Sequence, residues 1–284
     1  MRGYRLVLFL FIFWLIFFIV TNLKRSVFLS KKERVNILFY GKKTVVFSLA
    51  LRNDLSYVIF YPTNLYLVVP GGYGFYRVGA LGKLVSLEKK PEIFKKTFSA
   101  NTSFFLDLYF YPKKEKIYYQ EVEEKNFWPS FFEIFFNSSN ANFFDRIFCF
   151  YHFWLKKPSF YQKIEINSKS FRRQDFFKKY LGVFYKKKYR KENLTVQIIY
   201  SKNYKVADLI SQILEGEGIR VVDISIEPKD SSKKCFVFYS SKKPSQTASD
   251  IAYFFQCELE KKDTPISDII IKLGNLEKIW EVER

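Results

Sequence analysis

From Leu6 to Val20 the chain reads LVLFLFIFWLIFFIV, without one charged or strongly polar residue. Gly3, Tyr4 and Leu23 extend this run to about the 20 residues that a helix needs to cross a bilayer. The run is apolar on every side, so it is not the amphipathic helix of a protein surface. Arg2 and Arg5 precede it, Lys24 and Arg25 follow it, and no small-residue cleavage pattern comes after. Residues 1–25 therefore predict an uncleaved transmembrane signal anchor. The basic residues after the span (Lys24, Arg25, Lys31, Lys32, Arg34) exceed those before it, which by the positive-inside rule would hold the C-terminal bulk in the cytoplasm. A large domain can nevertheless be translocated despite its charge.

The 284 residues suffice for two modest domains. Lys plus Arg number 47 against 28 Asp plus Glu, and 20% of the chain is aromatic. A cationic surface of that kind favours acidic partners: anionic lipid, glycopolymer or nucleic acid. A biased base composition, rich in Phe, Lys, Tyr, Ile and Asn and poor in Ala and Gly, accounts for the same numbers. Cys149, Cys235 and Cys257 lack the paired short spacings of a zinc site and His152 is the only histidine, so neither metal nor cofactor is expected.

Beyond the span, Val35 to Tyr40, Thr44 to Leu51, Leu55 to Tyr61 and Leu65 to Val69 are β-branched and aromatic runs that predict strands. Arg52-Asn53-Asp54 suits a hairpin turn, and Pro70-Gly71-Gly72 closes the series. Phe127 to Lys157 reads as helical and rich in Phe and Trp, its aromatic stripe facing a core. Phe176 to Lys191 alternates aromatic and basic residues and ends in Lys186, Lys187, Lys188, Arg190 and Lys191, a polyanion-binding patch or a solvated connector over 166–192. After Asn193 a strand at Leu194 to Tyr200 precedes Val206, Leu209, Ile210, Ile213 and Leu214, one face of a helix. Gly216 and Gly218 stop that helix, and Ile219 to Ile226 follows as a strand. Cys235 to Tyr239 is a third strand, Thr247 with Asp250 resembles a helix N-cap, and Ile269 to Leu273 is a fourth strand. The order β-α-β-β-α-β predicts a small two-layer unit at 193–284, and the fold class is α/β (α+β) behind an N-terminal transmembrane helix.

The segments LTVQIIYSKN, LEGEGIRVVDISI, KKCFVFYSS and ISDIIIKLG give residues from about Asn193 to Leu276 a resemblance to the LytR C-terminal domain, an accessory module of envelope proteins. Ser201-Lys202-Asn203-Tyr204 takes the place of that family's motif with Asn and Gly. NILFYG, KKTVVFSLAL, VVPGGYGFYRVGAL and SFFLDLYFY resemble the LytR–CpsA–Psr domain over about Arg34 to Tyr111, within a domain expected at 34–165. In that family acidic residues position magnesium and arginines grip the pyrophosphate of a polyprenyl-linked glycopolymer, because a dense anionic leaving group needs divalent charge and bidentate donors. Thr44 stands at the family's Asp, and Pro62-Thr63-Asn64 stands at its Pro-Arg-Asp. No catalytic residue carries over, and Arg52, Arg77 and Lys83 are left to hold an anionic headgroup or to be plain surface charge.

The resemblance implies a non-catalytic, single-span envelope protein facing outward, binding or scaffolding an anionic cell-wall polymer or lipid-linked precursor. An active polyprenyl-pyrophosphate glycopolymer transferase is the alternative. A membrane-tethered cytoplasmic nucleic-acid binder is the third, although no nucleic-acid motif supports it and nucleic acid is not expected. Cys235 opens a strand and Cys257 closes the helix that returns beside it. A strand of about six residues spans roughly 20 Å and a helix of about eleven roughly 16 Å, so the two cysteines meet closely enough for a disulfide or sit as small buried apolar residues.

Overall fold

The computed structural model describes residues 2–30, 33–51, 54–114, 116–119, 127–227 and 234–282. Helix α1 (Arg2–Arg25) contains the 18 residues Val7–Lys24, long and apolar enough to cross a membrane. A signal sequence has the same character. Its large apolar side chains from Val7 to Phe18 are exposed all round, so no protein core covers it.

The chain then builds a six-stranded sheet. Strands β1 (Arg34–Phe39), β2 (Thr44–Ala50) and β3 (Ser56–Tyr61) form an antiparallel meander, with Ile37 opposite Phe47 and Phe47 opposite Val58. Every residue of β1 and β2 is buried. Alternate side chains supply opposite faces: Leu38, Val46 and Ile59 enter one core, while Ile37, Phe39 and Phe47 enter another. Covering on both sides explains why these strands read as continuous apolar runs. A two-stranded hairpin follows, β4 (Tyr66–Val69) and β5 (Gly74–Arg77), turning through Gly71 and Gly72 at φ of 100° and 78°, where a side chain would be strained. Helices α2 (Leu81–Glu88) and α3 (Glu92–Thr102) cover the first face and lead to β6 (Leu108–Tyr111), parallel to β1.

The other face is covered by α4 (Phe131–Phe136) and α5 (Phe143–Leu155). Each begins with a capping box, Ser130 with Glu133 and Asn142 with Asp145, which satisfies the free N–H groups of the first turn. The helical stretch expected over Phe127 to Lys157 is thus two helices, divided by the short strand β7 (Ser138–Ser139) on the edge of the sheet. Strand β8 (Tyr161–Glu165) completes the opposite edge beside β3.

Helices α6 (Arg173–Tyr180) and α7 (Lys187–Glu192) occupy the basic stretch. They are packed elements: Phe176 and Phe184 enter the core of the first sheet, and Tyr189 enters the core beyond it. The second sheet runs in the order β10-β9-β13-β11-β12. It comprises β9 (Thr195–Tyr200), β10 (Arg220–Ile226), β11 (Phe236–Tyr239), β12 (Glu258–Lys261) and β13 (Ile269–Lys272). Helices α8 (Tyr204–Glu217) and α9 (Gln246–Phe255) share one apolar core against it, giving two layers, and the short α10 (Leu276–Ile279) follows.

Three local expectations are corrected. The edge strand β12 adds to the anticipated order, and its ELEK side chains are all exposed, leaving no apolar pattern to read. Ser245, and not Thr247, caps α9, its hydroxyl accepting from the Ala248 N–H at 3.0 Å. Gly218, in the left-handed conformation, ends α8, whereas Gly216 lies inside the helix. A Cβ at Gly216 would lie 1.7 Å from the Ser103 carbonyl oxygen, so this glycine permits α8 to press against the end of α3. The α/β fold with its apolar N-terminal helix is otherwise as anticipated.

Candidate functional site

Strands β1 and β6 run parallel, and Tyr40 continues the pairing by donating its N–H to the Phe110 carbonyl at 2.8 Å. Their carboxyl ends open on one side of the sheet beside the start of α2, the kind of place where a parallel α/β arrangement leaves a crevice. A cleft of about 260 Å³ lies there, walled by Tyr40, Tyr111 and Tyr118 and rimmed by Lys89, Lys113, Lys114 and Lys116. The four lysines are exposed and make no ion pair among the described residues. No carboxylate lines the cleft among the described residues; Glu115 lies outside them.

The back wall is fixed by tight packing. The Tyr40 hydroxyl accepts from the Gly82 N–H at 2.8 Å, and a Cβ on Gly82 would lie 2.8 Å from the tyrosine ring. Burial raises the Tyr40 pKa well above its ordinary value, so the phenol stays neutral and can donate its proton. Gly79 is a second crossing point: its N–H donates to the Thr63 carbonyl at 2.9 Å, and its own carbonyl accepts from Tyr118 at 3.0 Å. A Cβ there would lie 2.0 Å from the Tyr118 oxygen. Neutral donors and cations round a space that no described carboxylate lines suit an anion that also offers apolar surface to the rings.

Thr44 and Thr63, which the sequence resemblance sets at acidic and arginine positions, serve local structure. Thr44 is buried at the start of β2 and donates its hydroxyl to the Gly41 carbonyl at 3.3 Å. Thr63 is buried too, its backbone holding Gly79. Of the expected anion ligands, Arg77 ends β5 opposite Tyr66 and Lys83 is exposed on α2; neither lines the cleft. Arg52 lies outside the described residues. Among the described residues no group of three His, Cys, Asp or Glu could hold a metal ion.

The Lys186 to Arg190 cluster differs from a solvated patch. Lys186 is only 1% exposed, its Nζ 2.6 Å from Glu217 Oε2 and 5.4 Å from the centre of the Phe105 ring. Glu217 Oε1 accepts the Phe105 N–H at 2.6 Å, so this ion pair joins the two sheets' cores and is withdrawn from any outside anion. Burial raises the Glu217 pKa against the opposing charge of Lys186. Lys188 is paired with Asp250, which also accepts from the Tyr189 hydroxyl at 2.8 Å. Burial works to raise the Asp250 pKa, but the Lys188 charge and the hydrogen bonds from Lys188, Tyr189 and Gln246 bring it below the ordinary value. Lys187 meets Asp54 at 2.9 Å in an exposed pair, and Arg190 lies 5.5 Å from the centre of the Tyr185 ring.

A larger cleft of about 660 Å³ lies between the end of α1 and the junction of the sheets, with Lys24, Lys95, Asp107, Asp145, Lys186 and Asp250 among its walls. Its mixed charge selects an anion less well than the lysine-rimmed cleft. Cys235 and Cys257 form a disulfide between the start of β11 and the end of α9, their Cα atoms 4.7 Å apart. Lys89, Lys113, Lys114, Lys116, Tyr40 and Tyr118 were not anticipated from sequence. The available signal was a lysine run directly after the strand LYFY.

No protein-family model matches the sequence, and no curated protein matches it. Among solved structures the chain is similar to the crystal structure of B. subtilis TagT, with 14% identity over 28% of this chain and a TM-score of 0.24. That likeness spans 33% of the TagT chain.

Proposed function

We propose that the chain is a membrane-anchored protein of the bacterial envelope whose soluble part binds an anionic cell-wall polymer or its lipid-linked precursor without transferring it. The single observation that carries this reading is the cleft at the carboxyl ends of β1 and β6, where four lysines and three tyrosines face a space lined by no described carboxylate. Such a wall attracts a phosphate-bearing polymer electrostatically while the rings contact sugar or lipid. Among the described residues no carboxylate lines it to position a divalent cation, and Thr44 and Thr63 hold their own loops. In this reading residues 34–165 bind the ligand, 166–192 join the halves, and 193–284 serve as a LytR C-terminal-like module. The soluble part faces outward, where a disulfide such as Cys235–Cys257 persists.

The test uses the full chain in lipid nanodiscs with a polyprenyl-pyrophosphate-linked glycan. We expect saturable binding, weakened when Lys113, Lys114 and Lys116 are changed to Gln, and no magnesium-dependent phosphate release. Release of phosphate would replace binding with transfer, and binding untouched by the three changes would move the site elsewhere.

A further inference from the structure

Helix α5 is apolar on both of its long faces. Its inner face sets Cys149 and Phe153 into the core of the first sheet. Its outer face carries Phe143, Ile147, Tyr151 and Trp154, at the i, i+4, i+8 and i+11 spacing of one stripe, and all are exposed, Trp154 by 75%. Helix α4 enlarges the surface with Phe136 and with Phe132, which is 71% exposed and stacked on Phe136 at 5.7 Å. The two stripes are continuous: Phe131 meets Phe150 at 5.5 Å, and Phe150 meets Trp154 at 5.3 Å. A soluble protein rarely leaves so many adjacent aromatic side chains in water, and a patch of this kind marks a partner or a membrane.

The position of α5 indicates which. Its N-terminal end is fastened to the exit of α1: Asn142 Nδ2 donates to the Asn22 carbonyl at 3.0 Å, and Asp145 accepts from the Ser26 hydroxyl and the Val27 N–H, both at 2.8 Å. Phe28 stacks on Phe148 at 5.8 Å. Burial raises the Asp145 pKa against these hydrogen bonds, which tie its side chain to the joint between span and helix. No slack linker separates the helix from the bilayer that α1 would cross, so the stripe begins at the level of the lipid surface. Tyr151 and Trp154 have the apolar body and polar tip that settle at the headgroup level. Lys156 and Lys157 close the helix with cations for anionic headgroups, Lys156 lying 5.5 Å from the centre of the exposed Phe160 ring.

We infer that α4 and α5 form a monotopic platform that lies in the headgroup and acyl boundary of the same bilayer that α1 spans, holding the folded part against the membrane. This rests on α1 being a true span. Interfacial helices bind by burying such a face to a depth of about 5–10 Å.

The full chain is placed in vesicles of three parts phosphatidylcholine to one part phosphatidylglycerol, with a nitroxide on one introduced cysteine at a time. The variants are Trp154→Cys, Phe132→Cys, Ile12→Cys in the span and Ile266→Cys in the second unit; Cys149 is buried and the other two cysteines are bonded to each other. Collision with oxygen, which concentrates in lipid, is compared with collision with a water-soluble nickel chelate. We expect the labels at 154 and 132 to favour oxygen severalfold, as at 12, and the label at 266 to favour nickel. If 154 and 132 both behave like 266 while 12 stays in lipid, the platform is wrong and the anchor stands. If 12 also favours nickel, the anchor fails and the platform with it. Dipolar broadening at 154 that vanishes on dilution with unlabelled chain would show a second copy on the face, and would overturn the inference as well.

Discussion

Lys186, Lys187, Lys188 and Arg190 each stand against a described partner: Glu217, Asp54, Asp250 and the Tyr185 ring. Lys113, Lys114 and Lys116 form a similar run in the sequence, yet they stand exposed around a cleft and make no ion pair among the described residues. A charge run in a sequence states only how many cations exist in one place. Where the next elements bring carboxylates decides whether those cations face each other's partners or the outside. Helix α8 delivers Glu217 to the first run, and helix α9 delivers Asp250.

The largest effect that could break this comparison lies at Lys186. Lys186→Met strands the Glu217 carboxylate in the junction and is expected to cost about 3–5 kcal/mol, since removing one partner of a buried pair leaves an uncompensated charge. Lys113→Gln is expected to stay within about 0.5 kcal/mol, as for most exposed positions. Urea unfolding of the full chain in detergent measures both. Glu217→Gln added to Lys186→Met keeps an acceptor for the Phe105 N–H and should recover most of the loss. The loss also has a pH signature. The folded pKa of Glu217 is raised above its unfolded value, so the folded state holds that proton longer, and stability falls as pH rises above about 4.5 toward the folded pKa. The Lys186 charge holds that pKa down, so Lys186→Met raises it further and the defect should shrink toward pH 4.5; a pH-independent defect would refute the buried-pair account.

Next in size is the disulfide of the second unit, a kind of restraint the first unit lacks among its described residues. With Cys235 and Cys257 at a sequence separation of 22, loop closure predicts that reduction costs about 3 kcal/mol. Melting with and without reductant checks it, and the first unit's core signal should move less than the second's. Thiols that are free in protein taken with thiol trapping from its host would remove the outward-facing topology's support.

What the sequence revealed divides along the same physical line. Strands buried on both faces, β1 and β2, and the stripe Val206, Leu209, Ile210, Ile213 and Leu214 were legible because burial itself imposes the apolar pattern. Strand β12 was not, because its backbone pairs with β11 while ELEK stays in water. Gly216 looked like a stop because nothing local says that the Ser103 carbonyl passes over it. The lysine-rimmed cleft was missed for a similar reason: Tyr40, Lys89 and Lys113 are far apart in sequence and meet only because β1 and β6 pair in parallel.

A smaller effect sharpens the functional side. Changing Lys113, Lys114 and Lys116 together to Gln should weaken binding of an anionic glycopolymer about tenfold, or ~1.4 kcal/mol. The difference should narrow as salt rises, because exposed charges are screened over about 8 Å at physiological ionic strength. Binding by isothermal calorimetry at low and physiological salt gives both numbers. A loss that persists unchanged at high salt would point to a misfolded cleft instead of a missing charge.

The smallest expected effect is the most discriminating. Lys187 is exposed like Lys113, but it pairs with Asp54 at 2.9 Å on the surface, and such a pair contributes about 0–1 kcal/mol. Lys187→Gln removes one positive charge from the molecule, the same change in net charge as Lys113→Gln, at a site outside the cleft lining. If the cleft is where the polymer sits, Lys187→Gln should leave affinity within about twofold and unfolding within about 0.5 kcal/mol, while Lys113→Gln weakens binding measurably. If instead the protein attracts polyanions through the field of its whole cationic surface, the two variants should weaken binding equally. Equal losses in a side-by-side titration at one salt concentration would therefore remove the cleft as the site, even with every contact around Tyr40 and Gly82 intact.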